Sequence, residues 1–213
     1  MQEQKNKRVL VSSLALVIVH LAGIIGINSM YRELFLSLTP FNLLLSAGLL
    51  LYNHKGFNRP FLIFMLTVLP GGFLVEVAGV STGIIFGEYR YERSLGWQLL
   101  SVPPVIGVNW FMLVYCAGII SHKLKVNLIL KSAAGAALMV ALDALIEQTA
   151  PTYGFWSWLG GIIPLRNYVA WFIISFGFLC LFHASGFHKQ NRLAPVLYII
   201  QLVFFALLLA CKS

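Results

Sequence analysis

The chain has 213 residues, of which 59% are hydrophobic and only 10% are charged. A soluble domain carries roughly 25% charged residues, so a water-facing surface over the whole chain is excluded. The apolar content also excludes disorder, and three Cys without a pairing pattern exclude a disulfide scaffold. What remains is an integral membrane protein. The expected fold class is all-α: a polytopic transmembrane helix bundle forming a single membrane domain over residues 1–213. The net charge of +8 comes from basic residues scattered in ones and twos between apolar runs. That distribution reads as membrane topology rather than as a nucleic-acid surface.

Seven apolar segments are expected to span, at about 9–27, 34–52, 60–80, 102–121, 126–147, 164–183 and 193–211. The first is followed by Ile27-Asn28-Ser29-Met30-Tyr31, which lacks a small-residue cleavage site, so it reads as a retained span. The second is the weakest, with Arg32 and Glu33 at its start and Pro40 inside it. The third contains Pro70-Gly71-Gly72 ahead of Glu76. Proline removes a helix hydrogen bond, so a kink opening a pocket near Glu76 is one reading. Close helix packing on Gly71, Gly72 and Gly79 is the other.

The segment 81–98 is too polar to span and too aromatic for an ordinary loop. It holds Glu88, Tyr89, Tyr91, Glu92 and Trp97, and it can form an interfacial belt or fold back as a lid. Pro103 and Pro104 then start the fourth span, which carries Trp110. In the fifth span Asp143 and Glu147 are four apart and share one helix face. Two carboxylates that close repel each other, so one of them can keep its proton and serve as a general acid. Alternatively both pair with Arg90, Arg93 or Arg166 and only hold helices together. The segment 148–167 resembles 81–98 in composition, and three of the five Trp lie within 156–171: Trp156, Trp158 and Trp171. Asn167 sits four residues before Trp171. Aromatic faces stabilise cations. Acids beside such faces in an apolar cavity suit protonation of an alkene and shelter of the carbocation.

Ten basic residues fall on the side of the N-terminal tail (Lys5, Lys7 and Arg8) and five on the other. The N-terminus is therefore expected in the cytoplasm, with the polar, aromatic-rich loops on the outer side and the protein in the cell's inner membrane. Glu76, Glu88, Glu92, Asp143 and Glu147 all fall on that outer side, where intramembrane carboxylates usually face a cavity or a partner. The Cys and His residues show no metal-ligand spacing, and no metal or cofactor is expected.

Two runs of residues resemble the integral-membrane carotenoid biosynthesis hydratases, among them the bacterioruberin-pathway and gamma-carotene 1',2'-hydratases. The first comprises Glu76, Gly79, Thr82, Gly83, Phe86, Gly87, Tyr89, Tyr91, Gly96, Val102, Pro103 and Trp110. The second comprises Asp143, Glu147, Trp156, Trp158, Ile163, Pro164, Leu165, Asn167, Tyr168 and Trp171. The resemblance covers roughly residues 70–171, with departures at Gln148, Ile163 and Ala170. It implies water addition across a terminal 1,2 double bond of an acyclic carotenoid end, giving a tertiary 1-hydroxy group. The implied partners are a lipophilic carotenoid, water, the bilayer and neighbouring enzymes of the same pathway. Asp143 is favoured as proton donor because it lies one turn deeper than Glu147. Glu147 or Glu76 positions the water, Trp156, Trp158, Trp171 and Tyr89 wall the cation, and Asn167 orients a carboxylate or the water.

Two rival classes use similar parts. A proton-coupled carrier also places acids beside a Pro-Gly break, but there is no repeated half and the acids lie at one end. A carotenoid cyclase runs the same cation chemistry with a second alkene in place of water. A retinal photoreceptor needs a lysine inside its last helix, and 193–211 has none.

Overall fold

The computed structural model describes residues 2–212. The side chains of Gln2 and of Lys5, counted above in the basic tail, lie outside the described residues. The elements in chain order are α1 (Gln2–Ile27), α2 (Arg32–Ser37), α3 (Thr39–Tyr52), α4 (Arg59–Thr82), β1 (Tyr89–Tyr91), a 3₁₀ turn (Arg93–Leu95), α5 (Val105–His122), α6 (Leu128–Thr149), β2 (Trp156–Trp158), α7 (Leu165–Ala184) and α8 (Leu193–Ala210).

Among the described residues six helices are long and apolar enough to cross a bilayer: α1, α4, α5, α6, α7 and α8. That composition is the signature of a multi-pass membrane protein. The seven expected spans are therefore six long helices and one shorter element. The segment expected at 34–52 is divided at Leu38 into α2 and α3. Pro40 lies in the first turn of α3, where its missing N–H is tolerated at a helix start but not in a helix interior. With 14 residues, α3 is about 21 Å long. A hydrocarbon core is about 30 Å thick.

Starts and stops follow local chemistry. The Asn58 side chain accepts from the Phe61 N–H at 3.1 Å, and the Asn127 side chain accepts from the Leu130 N–H at 2.9 Å. These are ordinary N-caps for α4 and α6. Helix α5 is apolar on all sides and sits at the centre of the bundle, buried over nearly its whole length. The other long helices bury one face and leave Leu, Ile, Val and Phe on the other.

The helices alternate in direction, so their ends collect into two groups. At one end Tyr115 on α5 meets His54 Nδ1 at 2.6 Å and receives the Asn191 amide at 3.3 Å. Asn53 donates to Ser12 on α1 at 2.8 Å in the same region. The loops carrying Lys55, Lys123, Lys125 and Lys189 lie at this end. At the opposite end the Tyr153 hydroxyl donates to the Leu208 carbonyl at 2.9 Å, and Arg32 donates to the Thr152 carbonyl at 2.7 Å. Both expected polar segments, 81–98 and 148–167, fold over this second end.

Helix α4 runs unbroken through Pro70. Beyond it, a Cβ at Gly72 would sit 2.4 Å from Trp110 Cβ, so only glycine lets α5 approach this closely. Gly177 on α7 faces open space. We expect Gly72→Ala to lower stability in detergent by about 1–3 kcal/mol through overpacking. Gly177→Ala should leave the thermal midpoint unchanged, and equal shifts for the two variants would contradict this packing account.

Candidate functional site

Three helices each bring a polar side chain into the second end. Helix α4 contributes Glu76, one turn after the glycine that admits Trp110. Helix α6 contributes Asp143 and Glu147 on adjacent turns of one face. Helix α7 contributes Asn167 from its first turn. The three acids are 4%, 1% and 2% exposed, and Asn167 is equally buried.

A charge so deep needs partners, because an uncompensated buried carboxylate costs several kcal/mol. None of the partners is a cation. Among the described residues the one ion pair is Arg90–Glu92, on the outside. The reading in which Arg90, Arg93 or Arg166 pairs with the α6 acids is thus set aside. Neutral donors do the work instead. Glu76 Oε2 accepts from the Tyr89 hydroxyl at 2.5 Å and the Tyr91 hydroxyl at 2.8 Å, and Oε1 accepts from Trp110 Nε1 at 2.9 Å. Glu147 Oε2 accepts from Trp158 Nε1 at 2.6 Å and Trp156 Nε1 at 3.1 Å. Asn167 Nδ2 bridges the α6 pair, at 3.1 Å from Glu147 Oε1 and 3.2 Å from Asp143 Oδ2. Asp143 Oδ1 is buried without a partner.

Four of those donors come from one small ribbon. Strand β1 pairs antiparallel with β2 in the register Tyr89–Trp158, Arg90–Ser157 and Tyr91–Trp156. Successive side chains alternate between faces. Tyr89, Tyr91, Trp156 and Trp158 therefore point their polar tips down at the acids, while Arg90 and Ser157 face outward. Gly87 makes the approach possible: its φ is +126°, and a Cβ there would lie 2.9 Å from the Trp158 ring. On the outer face Ser157 donates to Glu92 at 2.8 Å and Arg90 donates to it at 3.1 Å. The Ser157 hydrogen bond first, and then Arg90, hold Glu92 below the usual carboxylate range. Burial, and next the Glu76 carboxylate, push the Tyr89 and Tyr91 phenols far above the usual tyrosine range. Both stay O–H donors at any ordinary pH.

Beneath the ribbon the acids and aromatics enclose a pocket of about 20 Å³. That is room for a single water-sized molecule. Trp110 and Trp171 form one wall, stacked with centroids 4.2 Å apart and planes at 15°. Tyr89 and Trp158 form another at 5.1 Å. Beside it lies a second cavity of about 380 Å³, mostly apolar, between α1, α3, α5, α6 and α8. Ile106, Asn109, Ile146 and Trp156 line both spaces and so form the boundary between them.

Of the side chains singled out in the sequence, Glu76, Asp143, Glu147, Asn167, Tyr89, Tyr91, Trp110, Trp156, Trp158 and Trp171 line the small pocket. Glu88, Glu92 and Trp97 do not. Glu88 is exposed, Glu92 sits on the outer face of the ribbon, and Trp97 is 72% exposed. Sequence reading named Phe86 without giving it a site role, and it missed Ile106, Ile146 and Asn109. Asn109 carried a usable signal, because an amide inside an apolar span is expensive and usually faces a cavity. Among the described residues no three His, Cys, Asp or Glu side chains gather in a metal-holding group.

Residues 38–212 match the family described as carotenoid biosynthesis protein. The match covers most of the chain, so the chain belongs to that family and has a role in carotenoid biosynthesis. No curated protein and no solved structure matches it.

The ribbon geometry generates a spectroscopic prediction. Ordinary tyrosines ionise near pH ~10. In a spectrophotometric titration to about that pH and one unit beyond, the double variant Tyr89→Phe/Tyr91→Phe should show the same tyrosinate amplitude as the wild type. An amplitude reduced by two phenols would mean that the two hydroxyls are open to solvent.

Proposed function

From this family membership and this geometry, we propose that the protein is a carotenoid hydratase of the inner membrane, acting with its neighbours in the pathway. It adds water across a terminal 1,2 double bond of an acyclic carotenoid end and leaves a tertiary 1-hydroxy group. The observation that carries the reading is the contrast among the three buried acids. Glu76 and Glu147 each accept three hydrogen bonds from neutral donors, the pattern that suits a carboxylate. Asp143 receives one amide N–H and keeps a bare oxygen. It is the acid suited to carry a proton.

In the proposed reaction the Asp143 carboxyl gives its proton to C2 of the alkene. The electron pair of the double bond forms the new C–H bond and leaves a tertiary cation at C1. The indole and phenol faces around the pocket stabilise that cation without offering a nucleophile. Water held at Glu147 or Glu76 then forms the C1–O bond and loses a proton to that carboxylate. The proton returns to Asp143, which shares Asn167 with Glu147, and the cycle closes with one water added. No electrons are gained or lost. The large apolar cavity would hold the hydrocarbon end, with the reacting carbons at the Asn109–Trp156 boundary. A pocket sized for one water favours capture by water over ring closure, which would need a second alkene beside the cation. Its seclusion at one end of the bundle favours an enzyme over a carrier.

Isotopes test this directly. Product made in D₂O should carry one non-exchangeable deuterium at C2, and product made in H₂¹⁸O should carry one ¹⁸O at C1. Asp143→Asn should lower turnover by about 10²- to 10⁴-fold, the usual range for a lost general acid. Full activity in Asp143→Asn would remove Asp143 as donor, and a hydroxyl oxygen not drawn from water would remove the hydratase reading.

A further inference from the structure

The large cavity is less uniform than a hydrocarbon binder requires. Ile18, Phe35, Leu43 and Ile146 give it an apolar wall, yet His20 on α1 and Gln201 on α8 also line it. Both are deeply buried, at 6% and 5% exposed. They lie on facing helices: the His20 ring meets the Phe204 ring edge-on at 5.3 Å, and Phe204 is less than one turn from Gln201. Asn42, further along the wall, already accepts from Ser46 at 3.4 Å.

The hydrogen-bonding state of the pair is specific. His20 Nδ1 lies 2.8 Å from the Leu16 carbonyl. A carbonyl oxygen only accepts, so Nδ1 carries the hydrogen and Nε2 of the neutral ring is an acceptor. No partner in the protein engages Nε2, and Gln201 Oε1 is buried without one. Buried polar atoms are nearly always paired, and an unpaired one in a cavity wall calls for a water or a ligand group to complete the bond. The required group must donate to His20 Nε2. It must also satisfy the Gln201 carboxamide, which can turn to present N–H or oxygen. An alcohol does both only by giving its one hydrogen to Nε2 and accepting the Gln201 N–H on its oxygen, with the carboxamide turned so that N–H faces the cavity. A ketone or an ether has no hydrogen for Nε2, and a pure hydrocarbon leaves both groups bare.

We propose that His20 and Gln201 form a hydroxyl-reading subsite, so that the lipophilic ligand of this cavity carries an alcohol. The proposal deepens the hydratase reading by naming a substituent on its ligand, and it rests on that reading for the ligand's polyisoprenoid class. Its test reads binding alone, so a failed hydratase assay and a failed subsite are told apart.

The probe is tritiated geranylgeraniol bound to the full chain in lipid nanodiscs. Unlabelled geranylgeraniol, its methyl ether and the matching hydrocarbon compete for the site. The alcohol should compete about tenfold better than the ether or the hydrocarbon, as expected for a hydrogen bond left unmade in a dry site. His20→Phe and Gln201→Leu should each shrink that preference to within about twofold. Two variants on different helices guard against a single misfolded one. Equal competition by alcohol and ether in the wild type, absence of saturable alcohol binding, or a preference that survives both substitutions would overturn the subsite.

Discussion

A carboxylate inside an apolar helix bundle has to find hydrogen-bond donors within the protein, because neither bulk water nor lipid supplies them there. This protein holds three such acids; it meets them without a cation and leaves one Asp143 oxygen bare. Tyrosine hydroxyls, indole N–H groups and one asparagine amide supply every bond. That choice fixes much of the rest. An arginine would bring a full charge and a hydration shell, whereas an indole brings one donor on a large apolar face. The side chains that hold the acids are therefore the same ones that keep bulk water out of the pocket and can shield a cation.

Four of the six donors arrive from outside the bundle, since the acids lie near one end of α4 and α6. The ribbon of β1 and β2 solves this with its period of two. Four aromatic side chains at alternate positions share one face, and that face closes over the acids. Gly87 lets the backbone come close, and Gly72 lets Trp110 reach Glu76 from the central helix. The pocket left inside is small enough for one water, while a larger apolar cavity abuts it along Ile106, Asn109, Ile146 and Trp156. The separation matters chemically. The hydrocarbon and the nucleophile occupy different spaces and meet only at a shared wall.

Much of this was legible in the sequence. Low charge and long apolar runs fixed the class, and acids placed at one end of two spans marked the site. The i, i+4 spacing of Asp143 and Glu147 put them on one face, and the clustering of Trp156, Trp158 and Trp171 marked the aromatic wall. Other features depend on contacts that periodicity does not encode. Glu88, Glu92 and Trp97 share the composition of the site segment, yet strand alternation and the turn after β1 carry them outward. The split between α2 and α3 was hinted at by Pro40, but the length of the remaining helix was not. Asn109, His20 and Gln201 are isolated polar residues in apolar spans, and only the packed bundle reveals which cavity they line.

The most direct measurement is expression of the protein in a host that makes lycopene, with the pigments separated and weighed by mass spectrometry. The account predicts a new pigment heavier by one water, or by two where both ends react, absent from cells carrying Asp143→Asn at equal expression. A lycopene profile unchanged by well-expressed wild-type protein, repeated with other acyclic and monocyclic carotenoids, would contradict it.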